Sequence, residues 1–175
     1  TPYRVAGAKT LGFEILEQLD WAVPDAIVVP TGHGTELVGI HRAIEDCLEC
    51  DLIDERPALY AAQAAGCAPI VEAVESDRDR PHEWEQPDTI CGGVEVPDPL
   101  GGPQILAAIH ESGGGAVASD DPDSLESAVT LAAHEGLEVG TSAGVAAAGA
   151  WSLADRGTID ATDTVVIVNP SAGAH

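Results

Sequence analysis

Asp25-Ala-Ile-Val-Val-Pro-Thr-Gly-His-Gly-Thr-Glu-Leu-Val-Gly-Ile40 decides the fold. Ala26 to Val29 is an apolar run without alternation, as a parallel strand covered on both faces requires, and Leu37, Ile40, Ile44 and Leu48 recur at helical spacing. Gly32, His33, Gly34 and Thr35 lie between the two. A strand, a glycine turn and a helix start in that order make an anion site: the first N–H groups of a helix have no partner within it, and glycine lets a ligand approach the main chain. On this reading a side chain at Gly34 would block a phosphate. A tight turn without a ligand is the alternative, since two glycines of the dinucleotide fingerprint are missing.

Outward from this stretch the chain alternates helices with strands. Leu11, Ile15, Leu16 and Leu19 form one stripe of a first helix. Ala58 to Gln63 reads as a second strand and Ala68 to Glu75 as a short helix. Gly102-Pro103 opens a helix through Ile105, Leu106 and Ile109, which Gly113-Gly114-Gly115 ends. Asp121 is the expected cap of a helix with Pro122 in its first turn, Leu125, Ala128, Val129 and Ala132 facing inward, and Gly136 as its stop. Thr141 or Ser142 would cap an alanine-rich helix closed by Gly157, and Thr164 to Val168 is a last apolar strand. Strands separated by such helices need crossover connections. The expected fold is therefore one α/β domain over residues 1–175, three-layered and doubly wound, its mostly parallel sheet covered by helices on both faces. Residues 76–88 carry seven charged side chains and no periodicity, and are read as a mobile surface loop.

The chain has 30 Asp and Glu against 7 Lys and Arg, a formal net charge of −23, and Lys9 is its only lysine. Such a surface repels nucleic acid and anionic membranes. In molar salt the Debye length falls to about 3 Å and self-repulsion is largely screened, so the composition predicts a halophilic, cytoplasmic protein. The acids are dispersed among apolar residues, which argues against disorder. No apolar run reaches the roughly 20 residues of a membrane span, and Thr1 to Arg4 lead into no signal-peptide core. Cys47, Cys50, Cys67 and Cys91 are too scattered for a disulfide framework. No methionine occurs, which predicts a processed chain, a fragment or an excised domain.

Several segments, in order, carry a resemblance. Pro2-Tyr3-Arg4-Val5-Ala6-Gly7-Ala8-Lys9-Thr10 with Gly12-Phe13-Glu14-Ile15 resembles the Glu-Gly-x-Lys-Thr segment of threonine synthases, pyridoxal-phosphate enzymes of fold type II. Val29 to Gly34 is similar to the strand and glycine loop that hold the cofactor phosphate there. Gln63-Ala64-Ala65-Gly66-Cys67-Ala68-Pro69-Ile70, Glu111-Ser112-Gly113-Gly114, Glu135-Gly136 through Ser142-Ala143, and Asn169-Pro170-Ser171-Ala172-Gly173 match later segments of the family.

The resemblance implies pyridoxal phosphate as cofactor, held by Gly32, His33, Gly34 and Thr35. It places Cys91, Gly92 and Gly93 along one face of the ring, although these also read as a plain turn. Pro170 stands where a Thr often faces the pyridine nitrogen; Ser171 could accept that role or be an ordinary turn serine. Lys9 matches a lysine that is not the Schiff-base lysine, so no catalytic residue is expected in this chain. It would be most of the carboxy-terminal, larger domain of a lyase in threonine biosynthesis that converts O-phosphohomoserine to threonine and phosphate. The fragment itself would be inactive. Its partners would be the upstream amino-terminal domain and a phosphorylated amino-acid substrate, with no nucleic acid or membrane, and a homodimer is compatible with it.

Two further readings compete. A non-catalytic module would bind a phosphorylated metabolite through Gly32 to Thr35. A nucleotide-binding oxidoreductase would need an acidic ribose-binding residue near Asp54, which falls at a helix end rather than a strand end. Glu36 would place a carboxylate beside a phosphate or, as a first-turn acid, stabilise the helix dipole. His41, Cys47 and Cys50 do not converge on one side of their helix and are read as core rather than metal ligands.

Overall fold

The computed structural model describes residues 2–172; Thr1 and Gly173, which the sequence reading places in the opening and closing segments, lie outside them. In chain order the elements are α1 (Pro2–Gln18), β1 (Ala26–Pro30), α2 (Thr35–Glu49), β2 (Ala58–Ala64), α3 (Pro69–Glu75), α4 (Gly102–Ser112), β3 (Gly115–Ser119), α5 (Asp121–Glu135), α6 (Thr141–Asp155) and β4 (Val165–Ile167). The strands form one parallel sheet in the order β3-β2-β1-β4, with Ala26 opposite both Ala58 and Val165.

Strand residues alternate between two apolar layers, as the period of two demands. Ile27, Val29, Leu59 and Ala61 pack against Leu16 of α1, Leu37, Ile40 and Ile44 of α2, Ile70 of α3 and Ile105 of α4. Ala26, Val28, Tyr60, Ala62 and Val117 meet Val145, Ala146, Ala150 and Leu153 of α6. The result is the expected three-layer, doubly wound α/β arrangement. Because β2 and β4 flank β1 on opposite sides, the order reverses at β1, and the loops leaving β1 and β4 open into one crevice. In parallel α/β sheets this switch point is where ligands bind.

Small residues set the spacing of the helices. A Cβ on Gly12 would lie 2.6 Å from that of Ala43, so α1 and α2 cross at close range. Helix α6 is buried almost all round, sheet on one side and α5 on the other. A Cβ on its Gly149 would lie 2.8 Å from Val117 Cγ1, and its Gly144 lies directly against the Ser124 carbonyl of α5.

Several sequence expectations need correction. Helix α1 begins at Pro2, well before the stripe that starts at Leu11, so Lys9 sits within it; the contact of Ala8 with Gly39 of α2 gives this segment the tertiary support that its weak stripe does not announce. Strand β3 starts on the last glycine of the run and was not expected, since Gly-Ala-Val-Ala-Ser has one β-branched residue and little of the usual strand signal. In α5 the buried face is Ser124, Ser127 and Ala128, whereas Leu125, Val129 and Ala132 are exposed. Close approach to α6 admits only small side chains there, and size overrides hydrophobicity. The N-caps of α5 and α6 are Asp120 and Gly140, not Asp121, Thr141 or Ser142. Residues 76–88 form no helix or strand. Arg78 of this loop pairs with Glu72 at 2.9 Å, and its Pro81 is buried.

Candidate functional site

Thr31 to Gly34 turn the chain from β1 into α2. Gly34 has φ +73°, a left-handed conformation that glycine tolerates. A side chain there would be driven into Ile105 of α4 rather than toward a ligand. Glycine at 34 is thus required by the turn and by packing, a different reason from the anion approach that the sequence suggested. Gly32 and Gly34 are buried. Among the described residues, the N–H groups of Gly32, His33 and Gly34 find no acceptor within the protein. Those of Thr35, Glu36 and Leu37 are first-turn amides, which have no acceptor within their own helix.

Main-chain donors on buried residues such as Gly32 and Gly34, left without partners, need an acceptor from outside the chain's own hydrogen bonds, whereas exposed His33 can also meet solvent. These open into a cavity of about 530 Å³ at the switch point, lined by Gly32 to Glu36, by Arg4 and Ala8 of α1, and by Gly93, Val94, Ser142 and Pro170. A second, larger cavity of about 770 Å³ shares Arg4, His33, Gly34 and Thr35 and adds Lys9, Arg42 and Asp46. Three of the chain's few cations therefore gather beside the turn. The residues fit a phosphate: unpaired amides, the positive end of α2 and a guanidinium meet at one place.

Of the other residues singled out from sequence, Gly93 lines the smaller cavity, with its carbonyl against Gly32. Gly92 is exposed, with open space around it. Cys91 is wholly buried in the α6 layer, and burial pushes its thiol above the ordinary range. Ser171 is exposed and does not line either cavity; its carbonyl accepts from Gly140 N at 3.0 Å, while neighbouring Pro170 reaches the cavity. Glu36 lines the cavity, and burial raises its pKa above the ordinary carboxylate value. Lys9 is ion-paired with Asp46 and lies 5.8 Å from the centre of the Phe13 ring.

Sequence reasoning missed Arg4, Ser142, Asp121 and Gln63 as site residues. Asp121 accepts from Thr89 Oγ1 and from Ile90 N at 2.9 Å, anchoring the loop that carries Gly93 to the start of α5. Gln63 is a polar residue inside a strand of alanines, and that contrast was its available signal. His41 faces Glu111 at 3.1 Å and Glu45 at 4.0 Å, Cys47 is buried and Cys50 exposed. Among the described residues no three His, Cys, Asp or Glu side chains gather as a metal site, and no helix is long and apolar enough to cross a membrane.

Fold and site together define a doubly wound α/β domain with unpaired main-chain amides gathered where a central strand turns into a helix. The chain belongs to the pyridoxal-phosphate dependent enzyme family, whose model matches residues 1–171. It is 35% identical over 167 residues to the threonine synthase of Methanosarcina acetivorans, covering 95% of this chain and 41% of that protein. It is 34% identical to the threonine synthase of Methanocaldococcus jannaschii, covering 98% of this chain and 42% of that one. The chain thus spans about two-fifths of the length of these relatives. Its fold is shared with an L-serine ammonia-lyase from Rhizomucor miehei (TM-score 0.78, 20% identity, 97% of this chain and 52% of that one). It is also shared with the processed threonine deaminase isoform 2 of Solanum lycopersicum (TM-score 0.77, 20% identity, 98% and 46%).

Proposed function

We propose that this chain is the cofactor- and substrate-holding part of a threonine synthase-like enzyme, which converts O-phosphohomoserine and water to threonine and phosphate. The observation that carries the reading is the run of unpartnered amides at Gly32, His33 and Gly34, opening into a cavity closed by Gly93, Ser142 and Pro170. Pyridoxal phosphate, when bound, supplies an electron sink for carbanion chemistry on the amino acid. The N–H groups of Gly32 to Thr35 hold its phosphate at the positive end of α2. Glu36 lines the same cavity, and burial raises its pKa above the ordinary carboxylate value. Arg4 lines both cavities and can meet the second phosphate, that of the substrate. Val94 and Pro170 contribute apolar wall that limits water.

Lys9, the only lysine, lies within α1 and is engaged by Asp46 of α2. The amine that would carry the cofactor comes, on this reading, from residues outside the chain, and the isolated chain binds without turning over. This observation also favours the second reading, a non-catalytic module for a phosphorylated metabolite. Phosphate release from O-phosphohomoserine by the full-length protein separates the two. Release that depends on added pyridoxal phosphate supports the enzyme. Tight binding of the cofactor without release supports the module.

A further inference from the structure

Gln63 is wholly buried in β2, among Ala61, Ala62 and Ala64. Its Nε2 donates to the Thr31 carbonyl at 3.0 Å, and its Oε1 accepts from Ile70 N at 2.8 Å and Val71 N at 3.3 Å. Thr31, the last residue before the glycine turn, is 1% exposed and fastened at every polar group. Its N–H donates to Ala62 O at 2.8 Å, its hydroxyl to Val29 O at 2.8 Å, and its carbonyl accepts from Gln63.

The consequence follows from peptide geometry. No peptide bond among the described residues is cis, and across a planar trans peptide the C=O of one residue and the N–H of the next point in opposite directions. With the Thr31 carbonyl held back toward β2 by Gln63, the Gly32 N–H is turned the other way. Gly32 lines the cavity, and its N–H has no acceptor within the described protein. Were this peptide to flip, a carbonyl oxygen would face the anion and one donor of the cradle would be lost.

We infer that Gln63 is a positioning residue of the anion cradle: by clamping the Thr31 carbonyl it aims the Gly32 N–H at bound phosphate. Its acceptor end, on the first amides of α3, fixes that orientation to the helix leaving β2. The inference rests on Gly32 to Thr35 holding phosphate, and it adds a residue that never touches the ligand.

The test uses the full-length protein carrying this chain, with inorganic phosphate as the probe at fixed high ionic strength. Thr-Gly occurs once in this chain, at 31–32, so threonine labelled at its carbonyl carbon and glycine labelled with nitrogen-15 leave one such amide from this chain in the NMR spectrum, assigned by its loss in Gly32→Ala. Phosphate should move the Gly32 amide proton downfield in wild type. Gln63→Glu keeps the acceptor for α3 but loses the donor to Thr31, and should bind phosphate at least about tenfold more weakly. Its deficit relative to wild type should shrink as pH falls and the introduced carboxyl regains a proton to donate, a dependence that a purely structural role would not produce. Should Gln63→Glu fail to fold, Gln63→Met, neutral and of similar length, takes its place with the same expected loss. A Gly32 amide unmoved by bound phosphate, or a folded Gln63 variant with wild-type affinity, overturns the inference. Thr35→Asp serves as the control on the cradle. If it binds like wild type, the cradle reading itself fails; if it loses phosphate while the Gln63 variants do not, only the role of Gln63 fails.

Discussion

Thr35→Asp should weaken phosphate binding while leaving the fold as stable as before or slightly more so. Thr35 is the first residue of α2, half-buried, and lines both cavities. A carboxylate in the first turn complements the helix dipole and is worth about 0.3–1 kcal/mol in favour of the fold. The same carboxylate faces the anion. At about 5 Å two unit charges repel by about 0.8 kcal/mol in bulk water and by about 3 kcal/mol at an effective dielectric near 20. A half-buried position lies between these limits, and screening at molar salt acts mainly on the exposed part. The expected loss therefore lies between about fourfold and about a hundredfold. Gly34→Ala supplies the contrast. Its φ of +73° costs an L-residue about 1–2 kcal/mol, and displacing Ile105 from its rotamer adds about 1 kcal/mol. That variant should lose about 2–3 kcal/mol of stability by the packing route. Isothermal titration with inorganic phosphate and with pyridoxal phosphate, alongside denaturant unfolding, measures both effects. Equal phosphate affinity of wild type and a folded Thr35→Asp would refute the assignment of Gly32 to Thr35 as the anion site.

Other predictions are simpler. With a formal net charge of −23, thermal melting followed by circular dichroism should shift upward between dilute buffer and molar potassium chloride; a flat or falling melting temperature counts against the salt-loving reading. Borohydride reduction of the isolated chain with stoichiometric pyridoxal phosphate should give no saturable labelling of Lys9, which Asp46 engages; efficient labelling by peptide mass mapping would make the chain a catalyst candidate on its own. For Glu36, burial raises the folded pKa above the unfolded value. Its protonated form is therefore favoured by folding: the contribution is fully present below the ordinary glutamate range and lost as pH rises through the folded pKa. Glu36→Gln should remove that decline in unfolding free energy and strengthen phosphate binding severalfold near neutral pH. A variant whose pH–stability curve overlays wild type speaks against burial as the governing influence.

Much of this protein is legible in its sequence because the decisive signals are local. An unbroken apolar run, a glycine turn and a helical stripe within Asp25 to Ile40 specify a buried parallel strand feeding a helix. Repetition of that pattern specifies the layered sheet, and the ordered segments of the resemblance specify the family. Tertiary structure alone decided what depends on the spacing between elements. Helix α5 buries its serines and exposes Leu125 and Val129, because α6 comes too close for larger side chains. Helix α1 extends back over Lys9, supported by its crossing with α2, and β3 forms from a weak strand sequence because β2 offers it a paired edge. Gly34 is held by Ile105, far along the chain, and Thr31 by Gln63. A sequence displays the propensity of each segment, but which residues of distant segments come within a few ångströms, and so which main-chain donors stay free for a ligand, is settled only when the layers close.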